Sequence, residues 1–171
     1  METQKLKPGS YPSHFAGYIQ LVENEDLNSV LKNQIEASKQ FFNSIPEEKI
    51  DYRYAEGKWA IKEVLQHIID TERVFTYRAL AFARKETSAL PNMDENSYAE
   101  NSGAGHRNWK DLIDEFASVR DSTIHLYSSF SESQLELSGR TVSYEMSVRA
   151  LGYIIAGHLA HHVNILKERY L

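Results

Sequence analysis

Residues 147–170 read SVRALGYIIAGHLAHHVNILKERY, a stretch without proline in which apolar residues recur at helical spacing. Ser147 is a suitable N-cap for a helix that continues to about Tyr170. The inner stripe of this predicted helix contains two histidines among its apolar members, namely Leu151, Ile155, His158, His162 and Ile165. Because residues four apart project from the same face of an α-helix, His158 and His162 are expected to point together toward the core.

Three further helices are predicted from the same kind of periodicity. They cover residues 25–45, where Pro46 follows as a stop, residues 58–84, which contain neither glycine nor proline, and residues 108–130. No segment indicates a strand. Four long helices in one domain predict an all-α protein, a four-helix bundle.

The remaining segments are expected to cover the bundle. Residues 1–24 contain prolines, glycines and several aromatic residues, which indicates an N-terminal arm packed over a single domain of residues 1–171. Residues 86–107 predict a loop between the second and third helices, long enough to cover a site. Asp94 and Glu95 lie in this loop, from which a carboxylate could act as acid or base on a bound ligand.

The composition limits the classes of function. The chain has no cysteine, so a disulfide, a thiolate metal site and a protein thiol nucleophile are all excluded. Its 24 acidic and 19 basic residues give a formal net charge of −5, which argues against nucleic acid or an anionic membrane surface as a partner. The polar N-terminus and the lack of a membrane-spanning apolar stretch predict a cytoplasmic protein.

The histidines suggest a metal site. His67, in the second predicted helix, can supply a third imidazole to His158 and His162 if the two helices pack together. Three histidines would leave a position open for water or substrate. Two alternatives remain at this point. Each histidine could instead bond to a nearby carbonyl or carboxylate, and His161, three residues from His158, could replace His162.

Other polar and aromatic residues have weaker signals. Asp70 lies one turn from His67 and could accept its second N–H. Glu72 is expected to form surface ion pairs with Arg73 or Arg78. Packing roles are predicted for Trp59 and Trp109, and an exposed or locally hydrogen-bonded position for the other histidines, which are His14, His106 and His125.

Two stretches together resemble the DinB-like superfamily of DinB- and YfiT-type proteins. Residues 58–73 read KWAIKEVLQHIIDTER, a Trp followed by a His-x-x-Asp-x-Glu run, and residues 157–166 read GHLAHHVNIL, which contains Gly-His-x-x-His-His. The resemblance covers about residues 27–171. It implies an up-down-down-up bundle with one divalent metal ion, nickel or zinc, and matching by position implies His67, His158 and His162 as its ligands.

The resemblance also implies a range of activities. Its members resemble thiol transferases that use low-molecular-weight thiols, glutathione-linked isomerases or hydrolase-like enzymes. A divalent ion on neutral imidazoles keeps its positive charge and can lower the pKa of a bound water or thiol. We therefore predict a metal-dependent thiol transferase or hydrolase that acts on a small molecule such as a low-molecular-weight thiol. The alternative is a non-catalytic metal-binding or self-associating bundle, and a homodimer is expected in either case.

Overall fold

The computed structural model describes residues 6–7 and 9–171, and four long helices dominate it. Each of the four predicted helices is confirmed, with ends that differ from the prediction by no more than one turn. In chain order the elements are a 3₁₀ turn at Ser13–Phe15, α1 (Ala16–Gln20), α2 (Leu27–Asn43), a 3₁₀ turn at Glu47–Lys49, α3 (Ile61–Ala83), α4 (Glu95–Asn101), a 3₁₀ turn at Ala104–His106, α5 (Trp109–Ser128), α6 (Glu132–Leu135), β1 (Ser138–Arg140), β2 (Glu145–Ser147) and α7 (Val148–Arg169).

Contacts between side chains show the direction of each long helix. Where α3 contacts α5, and where α2 contacts α7, later residues of one helix meet later residues of the other, so the two helices of each pair are parallel. Where α3 contacts α7, later residues of one meet earlier residues of the other, so this pair is antiparallel. Between α3 and α5 the contacts are Glu72 with Arg120 and Thr76 with Thr123. Between α2 and α7 they are Gln34 with Ala156 and Phe41 with Lys167. Along α3 and α7 they are Trp59 with Tyr170 and His67 with His158. The four helices α2, α3, α5 and α7 therefore form the expected up-down-down-up bundle.

A buried polar layer divides the core of the bundle. One apolar cluster occupies the end formed by the start of α2 and α7, and a second occupies the end formed by the start of α3 and α5. Between these clusters each long helix contributes at least one polar side chain. Gln34 is half-buried, and the others are buried, namely His67, Glu72, Arg120 and His158. The histidines of interest therefore lie at mid-height in the bundle.

The connections differ from the predictions in two places. Residues 138–140 and 145–147 form an antiparallel hairpin, in which Gly139 pairs with Met146, although no strand was predicted. Three-residue strands are too short for an alternating pattern to be recognised. The predicted loop 86–107 contains α4, which begins where the Asp94 side chain accepts hydrogen bonds from the backbone N–H groups of Asn96 and Ser97.

The N-terminal segment lies against α7. Phe15 and Ile19 are buried, and the backbone of Tyr18 approaches Gly157 so closely that a Cβ at residue 157 would lie 2.0 Å from the Tyr18 carbonyl oxygen. A glycine is thus required there for α1 to contact α7. Residues 1–5 and 8 of the predicted arm lie outside the described residues. Within the part of the chain that the structure describes, no helix is both long and apolar enough to cross a bilayer.

Candidate metal centre

The three histidines singled out in the sequence converge at the contact between α3 and α7. The Nε2 atom of His158 lies 3.0 Å from Nε2 of His67 and 3.1 Å from Nε2 of His162. One nitrogen from each ring lies within 4.8 Å of the other two. His67 and His158 are buried, and His162 is half-buried.

Hydrogen bonding alone does not account for this geometry. An imidazole nitrogen carries either one hydrogen or one lone pair, so Nε2 of His158 cannot form hydrogen bonds to both neighbouring nitrogens. A zinc ion about 2.0–2.1 Å from each of its histidine nitrogens in a tetrahedral site would place those nitrogens about 3.3 Å apart. The two separations from His158 are close to that value, and all three nitrogens lie near enough to one another to hold one ion.

The protonation states also suit a cation. Burial lowers the pKa of His67 to about 4 and that of His162 to about 3. The pKa of His158 is lowered well below its ordinary value, first by burial and then by the neighbouring imidazoles of His162 and His67. At neutral pH all three rings are therefore neutral, and a neutral imidazole is the form that binds a metal.

Thr71, and not Asp70, lies against the second nitrogen of His67. The hydroxyl oxygen of Thr71 lies 3.4 Å from Nδ1 of His67, whereas the Asp70 carboxylate accepts a hydrogen bond from Gln66. A residue four positions along a helix lies more nearly above the first than one three positions along, which explains the difference. An Nδ1–H that donates to Thr71 leaves the Nε2 lone pair of His67 facing the other two histidines.

His161 is not a member of the cluster. Its half-buried ring packs against Tyr18, with ring centroids 5.1 Å apart, on the side of α7 that faces α1. Tyr18 also meets the ring of His158 edge-on at 5.4 Å. The geometry thus favours His162 over His161 as the partner of His158.

A cavity of about 240 Å³ adjoins the cluster, and two of the three histidines, His67 and His158, line it. One wall is a stripe along α3 formed by His67, Thr71, Phe75 and Arg78, all of which are buried. His158 and Phe15 complete the buried part of the lining. A larger surface cavity of about 640 Å³, between the ends of α2 and α5, contains none of the three histidines.

The open side of the small cavity is formed by more exposed residues. They come from the arm, from the segment before and at the start of α4, and from the hairpin, namely His14, Tyr18, Met93, Glu95 and Tyr144. Burial of its hydroxyl raises the pKa of Tyr18, and the nearby carboxylate of Glu95 raises it further. The segment between α3 and α5 therefore does reach the site, as its length suggested. Of the two acidic residues singled out in it, Glu95 lines the cavity while Asp94 caps α4.

Several side chains have surroundings in the structure that the sequence did not predict in full. Glu72, predicted to form surface ion pairs, is buried and paired with Arg120, while Arg73 pairs with Glu115. Trp59 is a packing residue, as predicted, and the ring it packs against is that of His67, with ring centroids 4.7 Å apart. The role of Tyr18 in lining the cavity was missed, because no local pattern reports what a distant segment covers. The role of Arg78 was also missed, although Arg78 lies on the same face of α3 as His67.

The remaining aromatic and histidine predictions fit the structure. Trp109 packs edge-on against Phe42. His106 and His125 are exposed, and His125 lies 3.7 Å from Asp121. His14 is exposed as expected, but it also borders the cavity.

Solved structures of three proteins share this architecture. YfiT from Bacillus subtilis, described as a probable metal-dependent hydrolase with an unusual four-helix bundle topology, is 18% identical, with a TM-score of 0.72 over 96% of this chain and 91% of its own. The DinB-like protein YjoA from Bacillus subtilis is 16% identical, with a TM-score of 0.59 over 84% of this chain and 87% of its own. A mycothiol-dependent maleylpyruvate isomerase is 10% identical, with a TM-score of 0.65, and the match covers 85% of this chain but 61% of the isomerase.

At these identities the likenesses show the fold alone. No curated protein matches the sequence. The profile of the DinB superfamily, however, matches residues 31–166, which include α3, α5, most of α2 and α7, and all three converging histidines. This chain belongs to the DinB superfamily.

Proposed function

We propose that this protein is a divalent-metal-dependent enzyme in which His67, His158 and His162 hold the ion and the adjoining cavity binds a small substrate. The observation that carries the proposal is the convergence of three neutral imidazole nitrogens beside a cavity that His67 and His158 line. The description of YfiT as a metal-dependent hydrolase supports it. Imidazole ligands suit zinc and nickel alike, and these are the two ions we propose.

A divalent ion at this position would supply positive charge that lowers the pKa of a bound water or thiol. The protein supplies the surroundings. Phe15 and Phe75 add buried apolar surface to the inner part of the cavity, which excludes water and strengthens the electrostatic interactions there. Glu95, at the exposed side, is placed to exchange protons between the cavity and solvent.

We propose hydrolysis or thiol transfer as the reaction class. YfiT supports the first, and the likeness to a mycothiol-dependent isomerase supports the second. Because the chain has no cysteine, a thiol would have to be the substrate or a cosubstrate. A low-molecular-weight thiol is therefore a natural first substrate to test.

A non-catalytic metal-binding or self-associating bundle is the alternative. The cavity argues for the enzyme, since a purely structural metal site needs no adjoining space. The homodimer and the cytoplasmic location stay predictions. Sedimentation equilibrium of the purified protein tests the first, and fluorescence microscopy of a tagged chain tests the second.

The test of the proposed function is the metal content of protein purified without an affinity tag, measured by elemental mass spectrometry. We expect close to one zinc or nickel ion per chain in the wild type and in His161→Ala, and almost none in His158→Ala or His162→Ala. His161 is a matched control because it lies on the same turn of α7 and outside the cluster. Wild-type protein that contains no metal and does not bind added zinc or nickel would contradict the proposal.

A further inference from the structure

Arg78 is a buried cation on the wall of the cavity. Its residue surface is 1% exposed, and it lies on the same stripe of α3 as His67. Its Nη1 donates to the hydroxyl of Tyr144 at 3.1 Å, and its Nη2 donates to the carbonyl oxygen of Pro91 at 2.9 Å. Both acceptors are neutral, so neither balances the charge.

The other buried arginines differ from Arg78 in this respect. Arg120 is paired with Glu72, and Arg149 contacts two carboxylates, those of Glu132 and Glu136. Among the described residues no carboxylate oxygen lies within 4.0 Å of the Arg78 guanidinium. A buried charge without a counter-ion is costly.

Two aromatic rings offset part of this cost. The guanidinium carbon of Arg78 lies 5.3 Å from the ring centroid of Phe75 and 6.0 Å from that of Tyr144. Glu95 is the one carboxylate among the lining residues, but it is exposed at the open side and makes no ion pair with Arg78. The cavity therefore has a cationic end that lacks an anion.

The spacing along α3 defines the shape of a ligand that would reach both ends. Eleven residues separate His67 from Arg78, or about 16 Å along a helix axis. A long side chain in a helix points back toward the N-terminus, so the guanidinium lies closer to His67 than its backbone does. Thr71 and Phe75 line the wall between the two ends. The volume of about 240 Å³ suits a ligand smaller than a typical drug molecule.

We propose that the substrate is a small elongated molecule with a terminal carboxylate that binds Arg78, while its reactive group lies at the three histidines. The position of the reactive group rests on the proposed function, whereas the contact with Arg78 does not require a metal. A carboxylate fits better than a phosphate dianion, because Arg78 is the single Lys or Arg side chain among the lining residues and its planar donors match a carboxylate.

The experiment is calorimetric titration of zinc-loaded protein with mercaptoalkanoates of three to six carbons and with the mercaptoalcohols of equal length. We expect the acid to bind at least tenfold more tightly than its alcohol at the best length. Arg78→Met should reduce this ratio to near one, and Arg78→Lys should keep part of it. Arg73→Met is the matched control, since Arg73 is an exposed arginine of α3 outside the cavity, and it should keep the full ratio.

Several outcomes would overturn the inference. They are equal binding of acid and alcohol by the wild type, or an unchanged acid preference in Arg78→Met. A lower melting temperature of Arg78→Met with an intact preference would show that Arg78 serves only to fix the Pro91 segment. If Arg78→Met does not fold, the proposal is tested by the ratio of acid to alcohol affinity in the wild type and by its decrease in Arg78→Lys. If the protein binds no zinc, the proposed function is contradicted but the contact with Arg78 is not. The affinities of metal-free protein for hexanoate and for hexanol then test Arg78 alone.

Discussion

Arg120 and Glu72 form a doubly hydrogen-bonded ion pair in the centre of the bundle. Nε and Nη2 of Arg120 donate to the two carboxylate oxygens of Glu72 at 2.7 and 2.9 Å, and the two side chains are 0% and 2% exposed. Nη1 of Arg120 also donates to the side-chain oxygen of Gln34, whose amide nitrogen donates to the carbonyl oxygen of Ala156. This network joins all four long helices and ends two residues before His158.

Removal of one partner from this pair should strongly destabilise the fold. Glu72→Gln leaves the Arg120 charge buried without a counter-ion, and Arg120→Met does the same to Glu72, so we expect each to lower the free energy of unfolding by about 3–5 kcal/mol. The double variant should cost less than the sum of the single variants, because it leaves no isolated charge. Urea unfolding followed by circular dichroism measures all three.

The pair of Arg73 and Glu115 is the control on the surface of the same helices. The Arg73 side chain is 50% exposed, so Arg73→Met should lower the unfolding free energy by no more than about 1 kcal/mol. A loss in Arg120→Met as small as that in Arg73→Met would contradict the importance of the buried network.

Gly157 makes a second prediction possible, at the contact of α1 with α7. A methyl group at this residue would lie 2.0 Å from the Tyr18 carbonyl oxygen, a backbone atom that cannot rotate away. Gly157→Ala should therefore displace α1, move Tyr18 from His158 and lower stability by about 1–3 kcal/mol or more. Thermal unfolding measures the loss, and faster amide exchange across residues 15–22 locates it.

Gly17 is the matched control for that substitution. It lies in α1 itself, and a Cβ there would meet no atom within 4 Å. Gly17→Ala should be neutral or slightly stabilising, because alanine favours helix more than glycine does. Equal effects of the two substitutions would mean that helix propensity, and not the close approach, determines the result.

Sequence periodicity predicted the four long helices because each buries a stripe of regularly spaced apolar residues. The same reasoning failed for Glu72. Glu72 lies in a run of polar residues, and only the position of α5 shows that Arg120 meets it inside the bundle. Burial of a charged residue depends on a partner from a distant helix, which a local pattern does not reveal.

The candidate site shows a similar division. His158 and His162 were paired from their spacing, His67 was added on the expectation that the two helices pack together, and the resemblance implied the same three residues. Asp70 was named as a residue that could accept the second N–H of His67, whereas Thr71 is the residue in contact. Tyr18 and His14 were not associated with the site, because they approach it only after the N-terminal segment has packed against α3 and α7. Arg78 shares a face of α3 with His67, but only the burial of that face identifies it as part of a cavity wall. Tertiary packing therefore defines most of the cavity.

The buried imidazoles should make the metal-free protein sensitive to mild acid. The pKa values of His67 and His162 are lowered from 6.5 to about 4 and about 3, so the folded state binds these protons less readily than the unfolded state. Their contribution to stability is full above pH 6.5 and is lost as the pH falls from there toward 4. The slope should approach about 1.4 kcal/mol per pH unit for each histidine.

Urea unfolding of metal-free protein between pH 7.5 and 5 measures this slope before most carboxylates titrate. The variant with both His67→Gln and His162→Gln should show a much flatter dependence over the same range. A wild-type slope equal to that of the double variant would mean that these two imidazoles are not held neutral by burial.

The last prediction separates Thr71 from Asp70. In the structure the Thr71 hydroxyl can accept the Nδ1–H of His67, which keeps the Nε2 lone pair directed at the other two histidines. Thr71→Val keeps the shape of the side chain but removes the acceptor, so we expect zinc affinity to fall by about tenfold, as for other partners of metal-bound histidines. Asp70→Asn, a change on the same turn that alters a charge not in contact with His67, should leave zinc affinity unchanged. Competition with a chelator of known affinity measures both variants. A loss in Asp70→Asn with none in Thr71→Val would instead assign the orientation of His67 to the carboxylate, as the sequence alone suggested.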